Sequence, residues 1–66
     1  MNERKTIGII GGGQLGLMIA EAARPMGIRT VCLDPAPDAP AGAVCDEHIV
    51  GRFDDAAAVE ELCGDL

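Results

Sequence analysis

The sequence predicts an α/β fold: a Rossmann-like half of an open, doubly wound parallel sheet, in the order β-α-β-loop-β-α. Three observations carry this. Short β-branched runs alternate with stretches of helical period. The first run ends in a glycine cluster, "GGGQLG", and a helical pattern starts directly after it. A strand, a crossover helix and a second parallel strand then form a right-handed unit.

The elements follow in order. Thr6 to Ile10 is apolar and β-branched around Gly8, which reads as a short buried parallel strand. From Gln14 the period changes. Leu15, Met18, Ile19, Ala22 and Met26 recur at spacings of three and four, and they predict the buried stripe of a helix. Glu21 and Arg24 fall off that stripe. Pro25 removes a donor and disfavours helix at Arg24, so the helix kinks or ends there, and Gly27 suits its C-terminal cap.

Ile28 to Leu33 is a second strand, and it leads into Asp34. The proline-rich "DPAPDAPAGA" reads as an ordered surface loop with one helical turn around Ala41 to Cys45. Glu47 to Gly51 is a third short strand. Asp54 or Asp55 then caps a last helix, with Val59, Leu62 and Cys63 as its inner face.

Sheets of this kind need cover on both faces and usually exceed about a hundred residues. The 66 residues are therefore expected to be a partial domain of a longer protein. Hydrophobic residues make up 48% of the chain, which argues for a packed segment rather than disorder. Phe53 is the one aromatic residue, so the usual base-stacking platform for single-stranded nucleic acid is missing. A net charge of −6 also opposes a nucleic-acid or anionic-membrane surface. No run approaches the roughly 18 apolar residues of a membrane span, and no signal peptide is visible.

The chain has three cysteines, Cys32, Cys45 and Cys63, with no C-x-x-C. They read as reduced, mostly buried thiols of a cytoplasmic protein. A metal site on Cys45 and His48 would need further ligands that the spacing does not supply. Glu47, His48, Asp54 and Asp55 read as solvated turn and cap residues.

The glycine cluster is the chemical feature. Gly11, Gly13 and Gly16 match G-x-G-x-x-G, with Gly12 beside them in the turn. Such a turn lies at the carboxyl end of the first strand, where ligands of these sheets gather. Its glycines let backbone approach a ligand, and the helix start offers N–H groups and a positive dipole end. A phosphate can bind there without any basic side chain. A Walker A loop is excluded, because Leu17 and Met18 follow Gly16 where Lys and Ser/Thr are required.

A dinucleotide is the familiar ligand of this pattern. Asp34 lies about 20 residues on, where a ribose-binding acid belongs. It is equally a structural cap within "DPAPD". Against a dinucleotide, Pro35 and the proline-rich loop crowd the adenosine position, and Gln14 and Leu15 put an amide and a bulky apolar group at the turn tip.

The stretch "IGIIGGGQLGLMIAEAARPMGIRTVCLDP", with "DAPAGAVCDEHIVGRFDD" after it, resembles the N-terminal domain of the N(5)-carboxyaminoimidazole ribonucleotide synthetases. These are also called ATPase subunits of phosphoribosylaminoimidazole carboxylase. The likeness runs from about Thr6 to Asp55 and joins "GGGQLG", "AARPMGI", "LDP", "DAPA" and "HIVG" in order. It implies that residues 1–66 are part of a pre-ATP-grasp domain. It further implies an ATP-grasp ligase of de novo purine biosynthesis. Such an enzyme carboxylates aminoimidazole ribonucleotide with bicarbonate and ATP, through carboxyphosphate, and releases ADP and phosphate.

By the same resemblance, Gly13, Gln14, Leu15 and Gly16 hold the ribonucleotide phosphate or ribose, while Gly11 and Gly12 shape the loop. ATP and Mg2+ then belong to domains outside this chain, and the full-length enzyme is expected to be a cytoplasmic homodimer. No catalytic acid, base or nucleophile is assigned here. One departure is Leu17, where family members often carry Arg; such a side chain is expected on the solvated helix face. Two rival readings stand beside this one: an NAD(P)- or FAD-binding oxidoreductase domain using Asp34, and a non-catalytic half-Rossmann regulatory or assembly module.

Overall fold

The computed structural model describes residues 5–64 and 66. Three strands, β1 (Thr6–Ile10), β2 (Arg29–Asp34) and β3 (Glu47–Val50), form one parallel sheet in the order β1-β2-β3. The register pairs Thr6 with Arg29 through Ile10 with Leu33, and Val31 with Glu47 through Asp34 with Val50. Helix α1 (Gln14–Ala23) links β1 to β2, and α2 (Ala56–Gly64) follows β3. The expected α/β architecture is therefore present, with β2 in the middle.

The centre is built from the pleat. Successive β2 side chains point to opposite faces. Val31 and Leu33 join Ile49, Ala58 and Leu62 beneath α2. Cys32 joins Ile9, Ala20 and Ala41 beneath α1. Val31, Cys32 and Leu33 are each fully buried, as expected for a strand covered on both faces.

Helix α1 turns a different side to the sheet from the one its apolar stripe predicts. Gly16, Ala20 and Ala23 are buried, and Leu17 packs against the cluster around Cys32. Leu15, Met18, Ile19, Ala22 and Met26 are exposed, with Leu15 and Met26 both at 70%. The reason is that α1 carries only Gln14 and Glu21 as polar residues, so hydropathy alone does not fix its rotation. Small side chains decide it. Gly16 and Ala20 let the helix approach the sheet and the loop after β2 closely, which Met18 and Ile19 would prevent. Leu17 therefore lies on the packed side, and the expected solvated position for this residue is corrected.

The first helix ends as its punctuation predicts. A 3₁₀ turn covers Arg24–Met26 with Pro25 in its first turn, and Gly27 closes it at φ 72°. A second 3₁₀ turn, Pro40–Ala43, stands where a helical turn was expected slightly later. The polar turn residues are engaged. Arg29 pairs with Glu47 at 3.0 Å, and Asp46 accepts from the Thr30 N–H at 2.8 Å. Arg52 binds Asp54 through two nitrogens at 2.9 and 3.0 Å, which holds the Asp54 carboxyl below its usual range.

Asp55 rather than Asp54 caps α2, accepting from the N–H groups of Ala57 at 3.0 Å and Ala58 at 3.4 Å. Removing it as Asp55→Ala should cost about 1 kcal/mol, seen as a lower urea midpoint at constant m-value. On α2 the inner residues are Ala58 and Leu62, with Val59 half-buried. Cys63 is exposed and Cys45 half-buried, so the expectation of mostly buried thiols holds fully for Cys32 alone. Cys63 falls one position past the contact line that Leu62 makes. Burial pushes the Cys32 thiol up to about 12, with the neighbouring Cys45 thiol and Asp34 adding to it. It stays a protonated, unreactive core residue.

Candidate functional site

The carboxyl end of the sheet gathers the β1–α1 turn and the loop after β2. Each glycine of the motif has its own structural reason. Gly11 stands at φ 107°, a region that side chains rarely adopt, and its N–H donates to the Leu33 carbonyl at 2.8 Å. Gly12 is buried, and a Cβ there would lie 2.9 Å from the Ala39 Cβ and 3.1 Å from the Asp34 Cβ. Gly16 packs so closely that a Cβ would collide with the Gly11 carbonyl oxygen and come within 3.3 Å of Ile9. Gly13 is the opposite case: a Cβ there would meet nothing within 4 Å. The second motif glycine thus faces open space while the third is required by packing, the division of labour these turns use.

Gly13 is the N-cap of α1, and its carbonyl accepts the first intrahelical bond from Leu17 N–H at 2.9 Å. The N–H groups of Gly13, Gln14, Leu15 and Gly16 are the four that an α-helix leaves without intrahelical acceptors. No side chain caps them, and no acid stands in the first turn. Gly13, Gln14 and Leu15 are exposed, and Gly16 is buried behind them. Four donors with the positive end of the helix dipole are suited to one anion.

Asp34 closes the turn from the side. Its Oδ2 accepts from Gly12 N–H at 2.8 Å and its Oδ1 from Ala36 N–H at 2.9 Å. The same residue is held through its carbonyl oxygen by the Ala41 N–H, also at 2.8 Å. The bonds from Gly12 and then Ala36 pull the Asp34 carboxyl below its usual range, against a smaller desolvation effect and with a minor contribution from His48. Stability from this carboxylate is complete above the ordinary Asp range and is lost as pH falls through the depressed value.

His48 lies half-buried against Gly42, with Nε2 3.3 Å from the Asp34 carbonyl oxygen. Cys45 sits instead with the α1-side core. Among the described residues no group of three or more His, Cys, Asp and Glu is placed to hold a metal ion. An open depression of about 360 Å³, lined by Pro35, Arg52, Phe53 and Asp54, lies beyond the loop after β2, and no glycine-turn residue lines it. No described helix is long and apolar enough to cross a membrane.

Sequence reasoning reached Gly11 to Gly16 and Asp34. It missed Ala36, Ala39 and Ala41, whose backbone and methyl groups brace the turn. Alanines in a proline-rich loop carry no motif signal of their own.

The parallel sheet, the glycine turn and the uncapped start of α1 define a half-Rossmann type of domain. The ribonucleotide synthetase preATP-grasp domain family matches residues 4–66. The chain belongs to that family.

Among its relatives, the N5-carboxyaminoimidazole ribonucleotide synthase of Staphylococcus haemolyticus is 54% identical over 57 residues, covering 86% of this chain and 15% of that protein. The crystal structure of N5-carboxyaminoimidazole ribonucleotide synthetase from Thermotoga maritima superposes with a TM-score of 0.88 at 51% identity, over 92% of this chain and 17% of that one. The Staphylococcus aureus N5-carboxyaminoimidazole synthetase complexed with ADP gives 0.88 at 47% identity, over 94% and 17%. The chain thus spans under a fifth of the length of these relatives.

Proposed function

We propose that residues 1–66 are the ribonucleotide-binding, N-terminal part of an ATP-dependent carboxylating ligase of de novo purine biosynthesis. The full-length enzyme joins bicarbonate to the amino group of aminoimidazole ribonucleotide, with ATP converted to ADP and phosphate. The observation that carries the reading is the uncapped first turn of α1. Its N–H groups at Gly13, Gln14, Leu15 and Gly16 sit at the carboxyl end of a parallel sheet, in a chain whose relatives bear that enzyme's name.

In this reading the four N–H groups seat the 5′-phosphate. Gly13 leaves the backbone open to it, and Gln14 supplies an amide to the phosphate or ribose. Leu15 walls the tip and helps exclude water. ATP and Mg2+ bind on the remainder of the enzyme. The chain's part is to bind and orient the substrate amine. The protein works in the cytoplasm, as a homodimer at full length.

Gln14→Ala in the full-length enzyme should raise the KM for aminoimidazole ribonucleotide roughly tenfold, the effect of losing about 1.4 kcal/mol of hydrogen bonding. The KM for ATP should stay within about twofold. Steady-state ADP release, dependent on both the ribonucleotide and bicarbonate, measures both constants. An unchanged ribonucleotide KM removes the turn from the substrate site, and thermal stabilisation by NAD would favour an oxidoreductase domain instead.

A further inference from the structure

We infer that Asp34 is a positioning residue for the anion-binding turn: by bridging Gly12 and Ala36 it fixes the backbone whose first-turn N–H groups converge on phosphate. The inference rests on reading that turn as the ribonucleotide's phosphate seat.

The geometry is specific. The two carboxylate oxygens point at two different segments, one at the β1–α1 turn and one at the loop after β2. The Asp34 side chain also packs directly on Gly12, where a Cβ would come within 3.1 Å of its own Cβ. Gly12 is thereby held at both of its peptides, by Asp34 at the N–H of the Gly11–Gly12 peptide and by Ala41 at the carbonyl of the Gly12–Gly13 peptide. The latter peptide also carries the Gly13 N–H, the first at the start of α1. No capping side chain substitutes for this grip, since α1 has none.

A negative side chain beside an anion seat is opposed by Coulomb repulsion. Two N–H donors spread that charge into the backbone, so the carboxylate acts on the turn instead of on the ligand. This departs from the ribose-binding role that an acid at the end of a second strand has in dinucleotide folds. It predicts a different partner dependence. A ribose ligand matters only to a molecule that has a ribose, whereas a positioning residue matters equally to phosphate alone.

The test compares the full-length enzyme with its Asp34→Asn variant. Asn keeps the size but turns one acceptor into a donor, so Gly12 and Ala36 are no longer both satisfied. Two probes are used: inorganic phosphate, followed by amide hydrogen-exchange protection at Gly13 to Leu15, and aminoimidazole ribonucleotide, followed by KM. The expected result is a loss of roughly tenfold in affinity for both, with the ATP KM unchanged. Faster exchange at Gly12 in the ligand-free variant is expected as well. Exchange at Val31 and Cys32 reports in the same sample that the central strand is intact. Should Asp34→Asn fail to fold, Asp34→Ser carries the same comparison with one acceptor retained.

A raised ribonucleotide KM with unchanged phosphate protection would make Asp34 a ribose contact and overturn the inference. So would two unchanged affinities, or an equal loss for ATP. If phosphate gives no protection at Gly13 to Leu15 in the unaltered enzyme, the phosphate seat itself falls. That outcome is distinct from a seat that exists and ignores Asp34.

Discussion

Gly16→Ala is expected to destabilise the domain by about 3 kcal/mol, at the upper end for overpacking. The added methyl would run into the Gly11 carbonyl oxygen, with Ile9 at 3.3 Å and the Ala41 methyl at 3.5 Å. A flexible side chain could swing away, but this obstacle is backbone. Gly11 is held at φ 107° and tied through its N–H to Leu33, so relief requires moving α1 off the sheet. Such a shift also displaces the first-turn N–H groups, so ribonucleotide affinity should fall along with stability.

The neighbouring control is Gly13→Ala. Its position has room for a methyl and an ordinary φ of −78°, so the cost should stay at the ordinary N-cap preference for glycine over alanine, about 0.5–1 kcal/mol. A urea titration of both variants decides the matter. Equal stability for the two would mean that the close approach of α1 to β1 does not govern this turn.

Leu33→Ala should be the most damaging of the core truncations, at about 4 kcal/mol. Leu33 is fully buried in the central strand, among Val31, Ile49, Ala58 and Leu62. Domain stabilities commonly lie at 5–15 kcal/mol, so a loss of about 4 is a large share. There is a second consequence. The Leu33 carbonyl receives the Gly11 N–H, so the core beneath α2 and the turn above β1 share one residue. Measured by urea unfolding, the midpoint should fall at a similar m-value. A cost below about 1.5 kcal/mol would show that the α2 layer contributes less than its burial indicates.

How much of this was legible beforehand differs by element. The strands were readable because β-branched runs bounded by glycine or proline have few other uses. Their ends moved by one residue at β2, which runs from Arg29 to Asp34 instead of Ile28 to Leu33, and at β3, which stops at Val50. The end of α1 was readable from Pro25 and Gly27, since a missing donor and a positive φ are properties of single residues. Its rotation was not. Leu15, Met18 and Ile19 outrank Gly16 and Ala20 on any hydropathy scale, yet contact with a sheet at close range favours the smaller set.

The site divides in the same way. Gly11, Gly12, Gly13 and Gly16 were visible as a motif, because a positive φ at Gly11 and close packing at Gly12 and Gly16 favour glycine. Asp34 was visible by its distance from the turn, with two roles open. The bond from Ala36, two residues on, is the local cap that "DPAPD" offers, whereas the bond from Gly12 joins segments 22 residues apart, which no local pattern encodes.

The sequence by itself determined the alternation of strands and helices, the glycine turn, the stop at Pro25 and the resemblance to a ribonucleotide synthetase domain. These depend on chain-local properties: side-chain branching, the freedom of glycine, the missing proline N–H and the spacing of a motif. Tertiary structure alone decided which side of α1 meets the sheet, which cysteine is buried, which aspartate caps α2 and where the Asp34 carboxylate points. Those depend on close packing and on pairing donors with acceptors between segments far apart in the chain. Three-dimensional contact settles them because several local choices are nearly equal in energy until the neighbouring segment arrives.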